Sequence, residues 1–213
     1  MLMESYSALK GDESMEQAGL PVKRTDAIAN RTRILEAALA VFAEQGLNLE
    51  IGEVATRANL AVGTLYRHFA NREDLLRAIL TYTLDDTLAK FQVAVSGAPD
   101  DPCEALLALI VAGLRSQQQY GSIFAIIRDS RLRTMFDPAQ AQTIRGHFLA
   151  VVLSVLEEGV KANLFRNDLD LRLVAATILG SIMGVSDLFH VCCPLEELAQ
   201  KLHQLHLAML TGH

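Results

Sequence analysis

The sequence predicts an all-α protein: an N-terminal three-helix head that carries a helix-turn-helix, followed by a C-terminal helical bundle. Three observations lead there. Ala and Leu dominate while Trp is absent and aromatic residues make up only 6% of the 213, which favours helices over sheets. Apolar residues recur at helical spacing along most of the chain, and no alternation long enough for a strand interrupts them. A hydrophobic content of 51% is ample for a buried core.

Residues 1–24 mix Glu, Lys, Asp and Gly without an apolar stretch, so a disordered tail is expected there and not a signal peptide. Thr25 or Asp26 caps the first long helix, whose Ile34, Leu35, Ala38, Leu39 and Phe42 form an inward face before Gly46 stops it. Val54, Ala55 and Ala58 then make a short stripe, and Leu65 and Phe69 make a second at i, i+4. Between them Asn59 can adopt the left-handed conformation that ends a helix, with Leu60 tucked into the angle. Two brief helices joined by such a turn are a helix-turn-helix, closing a head over residues 25–70.

Asn71 is a good cap for a fourth helix, with Glu73 and Asp74 favouring its positive end. Its stripe of Leu76, Ile79, Leu80, Leu84, Leu88, Phe91 and Val95 keeps helical spacing to Gly97, so one element touches both the head and the body, residues 71–213. Asp101-Pro102 with Glu104 starts a fifth helix, carried by Leu106, Leu107, Ile110 and Leu114 to about Gln119, where Gly121 breaks it. Ile123, Phe124, Ile127, Leu132 and Met135 suggest a sixth. Asp137-Pro138 opens a long seventh, with Ile144, Phe148, Val152, Val155 and Leu156, ending near Asn163. Asp170 caps an eighth to about His190, and Pro194 with Glu196 and Glu197 begins a ninth.

The net charge of -6 argues against a protein that coats polyanions, so any DNA contact must come from a local patch. One exists between Arg57 and Arg77, where Arg57, Arg67, Arg72 and Arg77 outnumber Glu73 and Asp74, and His68 can add charge. On the second short helix Leu65 and Phe69 point inward, Gly63, Thr64 and Arg67 point outward, and Tyr66 and His68 flank them. Such a face suits a major groove: Arg for guanine edges or phosphates, Thr for a base edge or methyl, Gly for close backbone approach. The pattern by itself fits a buried helical hairpin equally well.

The run GTLYRHF, followed by Asn71-Arg72-Glu73-Asp74-Leu75-Leu76 and preceded by RTRILEAALAVFAEQG at Arg31 to Gly46, resembles the TetR (tetracycline-repressor) family of transcriptional regulators. The likeness spans about Thr25 to Leu80; beyond it only the architecture is similar. It implies a homodimer that binds a palindromic double-stranded DNA operator through Val62, Gly63, Thr64, Tyr66, Arg67, His68 and Arg72 and is released by a small-molecule effector. Thr64 and Arg67 would read bases, while Tyr66, His68 and Arg72 would hold phosphates. The sequence departs from the family pattern in two places. The link Leu47 to Glu50 is one residue short and lacks the usual capping Ser or Thr, leaving Glu50 or Asn48 to cap; and Ala61 and Val62 stand where Ser and Lys are frequent.

The resemblance also implies a mostly apolar effector cavity among Phe91, Ile110, Leu114, Phe124, Phe148, Val152 and Met183, with Arg128 and His147 as polar fixers; for any single member, ordinary core is the alternative. Ala176, Gly180 and Gly184, spaced by four, suggest close helix packing, either across a dimer interface or within one subunit or around a ligand. His190, Cys192, Cys193, His203 and His206 make a soft-ligand set, but adjacent cysteines do not easily share one tetrahedral ion and no C-x-x-C occurs, so no metal is expected; buried thiols and a solvated or interfacial His pair are. Cys103, near a helix start, has the position for a lowered pKa. Asp85-Asp86 and Glu157-Glu158 are expected on solvated faces, and no nucleophile with a base or glycine-rich phosphate loop points to catalysis or a cofactor. The longest near-apolar run, Leu173 to Val185, is too short to span a bilayer, so a cytoplasmic protein is expected. A helical protein that binds a ligand or partner without regulating genes is the competing expectation.

Overall fold

The computed structural model describes residues 22–98, 100–128, 138–189 and 193–212, and these form eight helices with no strand among them. They are α1 (Val22–Gln45), α2 (Ile51–Arg57), α3 (Val62–His68), α4 (Arg72–Ser96), α5 (Pro102–Arg128), α6 (Pro138–Lys161), α7 (Leu171–Phe189) and α8 (Leu195–Thr211), with a 3-10 turn at Gly46–Asn48. The tail expected over residues 1–24 lies outside the described residues up to 21. Because α1 already begins at Val22, Thr25 and Asp26 sit inside it and neither is its cap.

The head core is built as the stripes require. Ile34, Leu35, Ala38 and Phe42 of α1 close over Val54 and Ala55 of α2, Leu65 of α3 and Phe69, and Leu75, Leu76, Ile79 and Leu80 of α4 complete it. Gly46 takes a φ of +59°, which only glycine adopts at low cost, and turns the chain out of α1. At the other end, Asn71 accepts a hydrogen bond from the Asp74 amide (2.8 Å) and caps α4.

α4 leaves the head core after Leu80 and enters the body core at Phe91, where it meets Ile110 and Leu114 of α5, Val152 and Leu156 of α6 and Ile178 and Ile182 of α7. Asp101 caps α5 by accepting from the amides of Cys103 (2.8 Å) and Glu104 (3.4 Å). The fifth and sixth helices of the sequence are the two arms of α5, which meet at a kink at Tyr120, whose φ of -122° and ψ of 15° are not helical, one residue before the break expected at Gly121. The Tyr120 hydroxyl is tied across to α4, and Ile123 beyond the kink is buried in the head core. Leu132 and Met135, assigned to that sixth helix, lie outside the described residues, as do Asp137, His190 and Cys192.

α6 ends at a left-handed Asn163 (φ 56°), and Phe165 folds back onto Gly159, where any Cβ would lie within 2.0 Å of its ring. Asp170 then caps α7 by accepting from the Arg172 (3.0 Å) and Leu173 (3.2 Å) amides. No helix among the described residues is long and apolar enough to cross a membrane.

Candidate nucleic-acid interface

The α2–α3 turn is closed by backbone bonds that the sequence makes possible. Asn59 adopts φ 54°, its amide donates to Thr56 O (3.0 Å), and Leu60 donates to Ala55 O (2.9 Å), the paired bonds of a Schellman ending. Leu60 packs against the head core. A further carbonyl of this corner, Ala58 O, accepts from Arg33 Nη2 of α1 at 2.7 Å. That brace was not expected from the sequence, since nothing in a helical stripe shows which carbonyl an arginine 25 residues upstream will reach.

On α3, Leu65 is fully buried and turns the opposite side outward. Val62 and Tyr66 are about half exposed, Gly63 and Arg67 are exposed, and Thr64 and His68 lie between. An added Cβ on Gly63 would meet nothing within 4 Å, so the backbone there is open to close approach. Arg67 lies back along its own helix, with long bonds of 3.4 Å to Gly63 O and Thr64 Oγ1, contacts a base edge can replace at little cost. Arg72, half-buried in the first turn of α4, has a buried Nε with no hydrogen-bond partner among the described residues.

The charge count along the sequence does not survive folding unchanged. Arg57 is engaged by Glu44 in a two-pronged bond (2.7 and 2.9 Å) and approached by Glu53 at 3.7 Å; Arg77 pairs with Asp74 at 2.9 Å. The hydrogen bond from Arg57 holds the Glu44 carboxyl below its usual range. In their place α1 brings up Arg31, whose guanidinium lies over the Phe69 ring at 4.6 Å. Glu50 occupies the cap position of α2 but its side chain makes no capping bond, which agrees with the missing Ser or Thr.

In the body, Phe91, Ile110, Leu114 and Val152 share one buried cluster, with Phe148 set edge-on to Phe91 at 5.3 Å. Gly113 brings three helices together here: a Cβ would stand 2.8 Å from Ile182 and 3.3 Å from Phe91. Phe124 instead packs edge-on to Tyr120 at 6.4 Å, and Met183 is half-buried outside that cluster. Nothing is described of the Arg128 side chain. His147, half-buried, faces Asp85, whose carboxyl burial pushes up and the His147 charge pulls down.

Asp85 and Asp86 are therefore not a solvated pair. Asp86 accepts from the Tyr120 hydroxyl (2.9 Å) and pairs with Lys90 (2.5 Å), which also donates to Gln119 (2.7 Å); burial pushes the Tyr120 hydroxyl up. The His203–His206 pair is not solvated either: His203 Nε2 meets Cys103 O at 2.9 Å, His206 Nε2 meets Ser181 Oγ at 2.9 Å, and both are buried. Cys103 is pushed up, first by burial and then by Asp101, the opposite of the expected lowering. No cluster able to hold a metal occurs among the described residues.

Ala176, Gly180 and Gly184 are all exposed on α7, beside Leu173, while Val174, Ala175, Ile178 and Ile182 face the core. A Cβ on Gly180 or Gly184 would meet nothing within 4 Å, so close packing within the described chain does not account for either glycine.

Residues 34–79 match the family profile described as bacterial regulatory proteins, tetR family. The chain is similar to the HTH-type transcriptional repressor KstR2 of Rhodococcus jostii, 30% identical over 146 residues that cover 67% of this chain and 71% of that one. Among solved structures, the ketosteroid transcriptional regulator KstR2 of Mycobacterium tuberculosis superposes with a TM-score of 0.65 at 26% identity, covering 92% of this chain and 99% of the other. FadR of Bacillus subtilis, solved in complex with stearoyl-CoA, shares the fold with a TM-score of 0.69 at 21% identity, covering 84% and 98%.

Proposed function

The chain belongs to the TetR family of transcriptional regulators, and on that premise we propose that it is a repressor that grips a two-fold operator as a homodimer and lets go when a small, largely apolar effector lodges in its body. The observation that carries this reading is the outward face of α3. Small, hydroxyl-bearing and cationic groups are presented together over a helix anchored by Leu65, with open space above Gly63. In a major groove Thr64 and Arg67 read base edges, while Tyr66, His68 and Arg72 hold the backbone, with Val62 against a base methyl.

The exposed face of α7 supplies the two-fold contact: Ala176, Gly180 and Gly184 let a second copy approach closely, and the operator mirrors that symmetry. The effector occupies the apolar cluster around Phe91, Phe148 and Val152, where α4 joins the body, with His147 as a polar fixer. A regulator named for ketosteroids as a relative supports a bulky apolar effector. Because α4 carries both cores, an effector that fits better when α4 tilts changes the spacing of the two heads, by no more than that difference in fit.

The test is a mobility shift on DNA from immediately upstream of the gene, at two salt concentrations, with Arg67→Ala alongside. Saturable, salt-sensitive binding by the wild type and loss of sequence preference in the variant are expected. Unchanged base preference in Arg67→Ala would remove that residue from base readout, and failure on both upstream and randomly selected DNA would sink the regulator.

A further inference from the structure

Arg31 lies on α1, outside the helix-turn-helix, yet it touches the end of α3. Its guanidinium carbon is 4.6 Å from the centroid of Phe69, the residue on which α3 ends, and the His68 ring leans against the same phenyl at 6.4 Å and 43°. Phe69 is only 3% exposed, while Arg31 itself is exposed. The arginine is a lid on the ring with its charged edge in solvent.

Among the described residues nothing neutralises that charge. No ion pair or hydrogen bond to Arg31 occurs among the described residues, and its neighbours one turn away in α1 are Ala27, Ile28, Ile34 and Leu35, none of them acidic. Arg57 and Arg77, which look equivalent in sequence, are both occupied by carboxylates. A guanidinium held over a ring has fewer orientations open to it, so less side-chain freedom is lost when its N–H donors meet an anion. Fixed in place beside the helix that enters the groove, it faces the one anion that DNA offers at every step.

We infer that Arg31 grips a backbone phosphate flanking the bases read by α3, with Phe69 as the platform that holds it in register. This rests on α3 being the groove helix. The contact carries no sequence information; it sets where α3 sits along the duplex.

Two variants separate the contact from the lid. Arg31→Met still covers the ring but has no charge, whereas Arg31→Lys keeps the charge and gives up the guanidinium over the ring. Affinity is measured by fluorescence anisotropy from 50 to 200 mM KCl, on a duplex selected from random DNA and on an unrelated duplex, with thermal melts alongside. One lost phosphate contact flattens the log–log salt slope by about 0.9 per protomer, so the advantage of the wild type over Arg31→Met should shrink by about 3.5-fold per protomer across that range, on both duplexes. Arg31→Lys should keep the wild-type slope. A slope for Arg31→Met equal to wild type overturns the inference, whether its affinity is unchanged or reduced, since a lid alone does not release counterions. A wild type that binds neither duplex overturns the groove reading beneath it instead.

Discussion

The outer faces of α3 and α7 are built alike behind and differ in front. Each helix seals one side in a core, through Leu65 on α3 and through Val174, Ile178 and Ile182 on α7. Each sets glycine on the other side with nothing within 4 Å of an added Cβ: Gly63 on α3, Gly180 and Gly184 on α7. Glycine within a helix is destabilising by about 1 kcal/mol relative to alanine, and open space above it leaves room for a close approach. The neighbours decide what approaches. Thr64 and Arg67 beside Gly63 suit a polyanion with hydrogen-bonding edges, while Leu173 and Ala176 beside Gly180 suit another apolar helix.

The α7 face should break hardest. Gly180→Arg adds a charge where a second copy is to pack, a change of about 3–5 kcal/mol when a buried charge is left unpaired. The folded chain tolerates it, because the position is exposed. Analytical ultracentrifugation should find a monomer with operator binding lost in parallel; a dimer of unchanged affinity would place the interface elsewhere. On α3 the expected effect is smaller and more selective. Arg67→Ala should lose about 1–3 kcal/mol of discrimination at one base pair, read out on single-base operator variants.

Each face also has a polar bond behind it, and these bonds sharpen the contrast. Asn71→Ala removes the cap of α4 just past α3 and should reduce stability by about 1 kcal/mol in urea melts. Behind α7, Ser181 meets His206, whose pKa is held below the ordinary 6.5 by burial and then by His203. The unfolded chain takes up that proton more readily than the folded one, so this contribution is complete above 6.5 and is lost as pH falls below it. Asp85 has the opposite slope: burial raises its carboxyl, so its part of the stability falls as pH rises through the folded value. Comparing melts of wild type and His206→Gln between about pH 7.5 and 5.5 isolates the histidine. The wild type should lose more stability on acidification, and parallel curves would remove His206 from any pH response.

The head was far more legible in the sequence than the body, for a physical reason. Its stripes are short, its turn needs a residue such as Asn59 that tolerates left-handed φ, and its cap needs an acceptor such as Asn71; each requirement is local and chooses among few residue types. The caps Asp101 and Asp170 were legible in the same way. What failed was non-local. Thr25 and Asp26 look like caps, but helical pattern alone does not tell how far α1 extends beyond the core it serves. The break near Gly121 is present as a kink at Tyr120, but nothing local shows that the Tyr120 hydroxyl reaches Asp86, 34 residues away. Asp85-Asp86 looks solvated, and His203-His206 solvated or interfacial, until helices pack over them.

By itself, then, the sequence determined the helical class, the helix-turn-helix, the outward residues of α3 and the family, because all of these follow from periodicity and short motifs. Tertiary structure alone decided which charges are free. Folding neutralised Arg57 with Glu44 of another helix and brought Arg31, unpaired among the described residues, to the edge of α3, whereas the Arg77–Asp74 pair is one turn of a single helix. Charge adds along a chain regardless of shape, but an electrostatic surface depends on distances between residues far apart in it, and those exist only once the helices have packed.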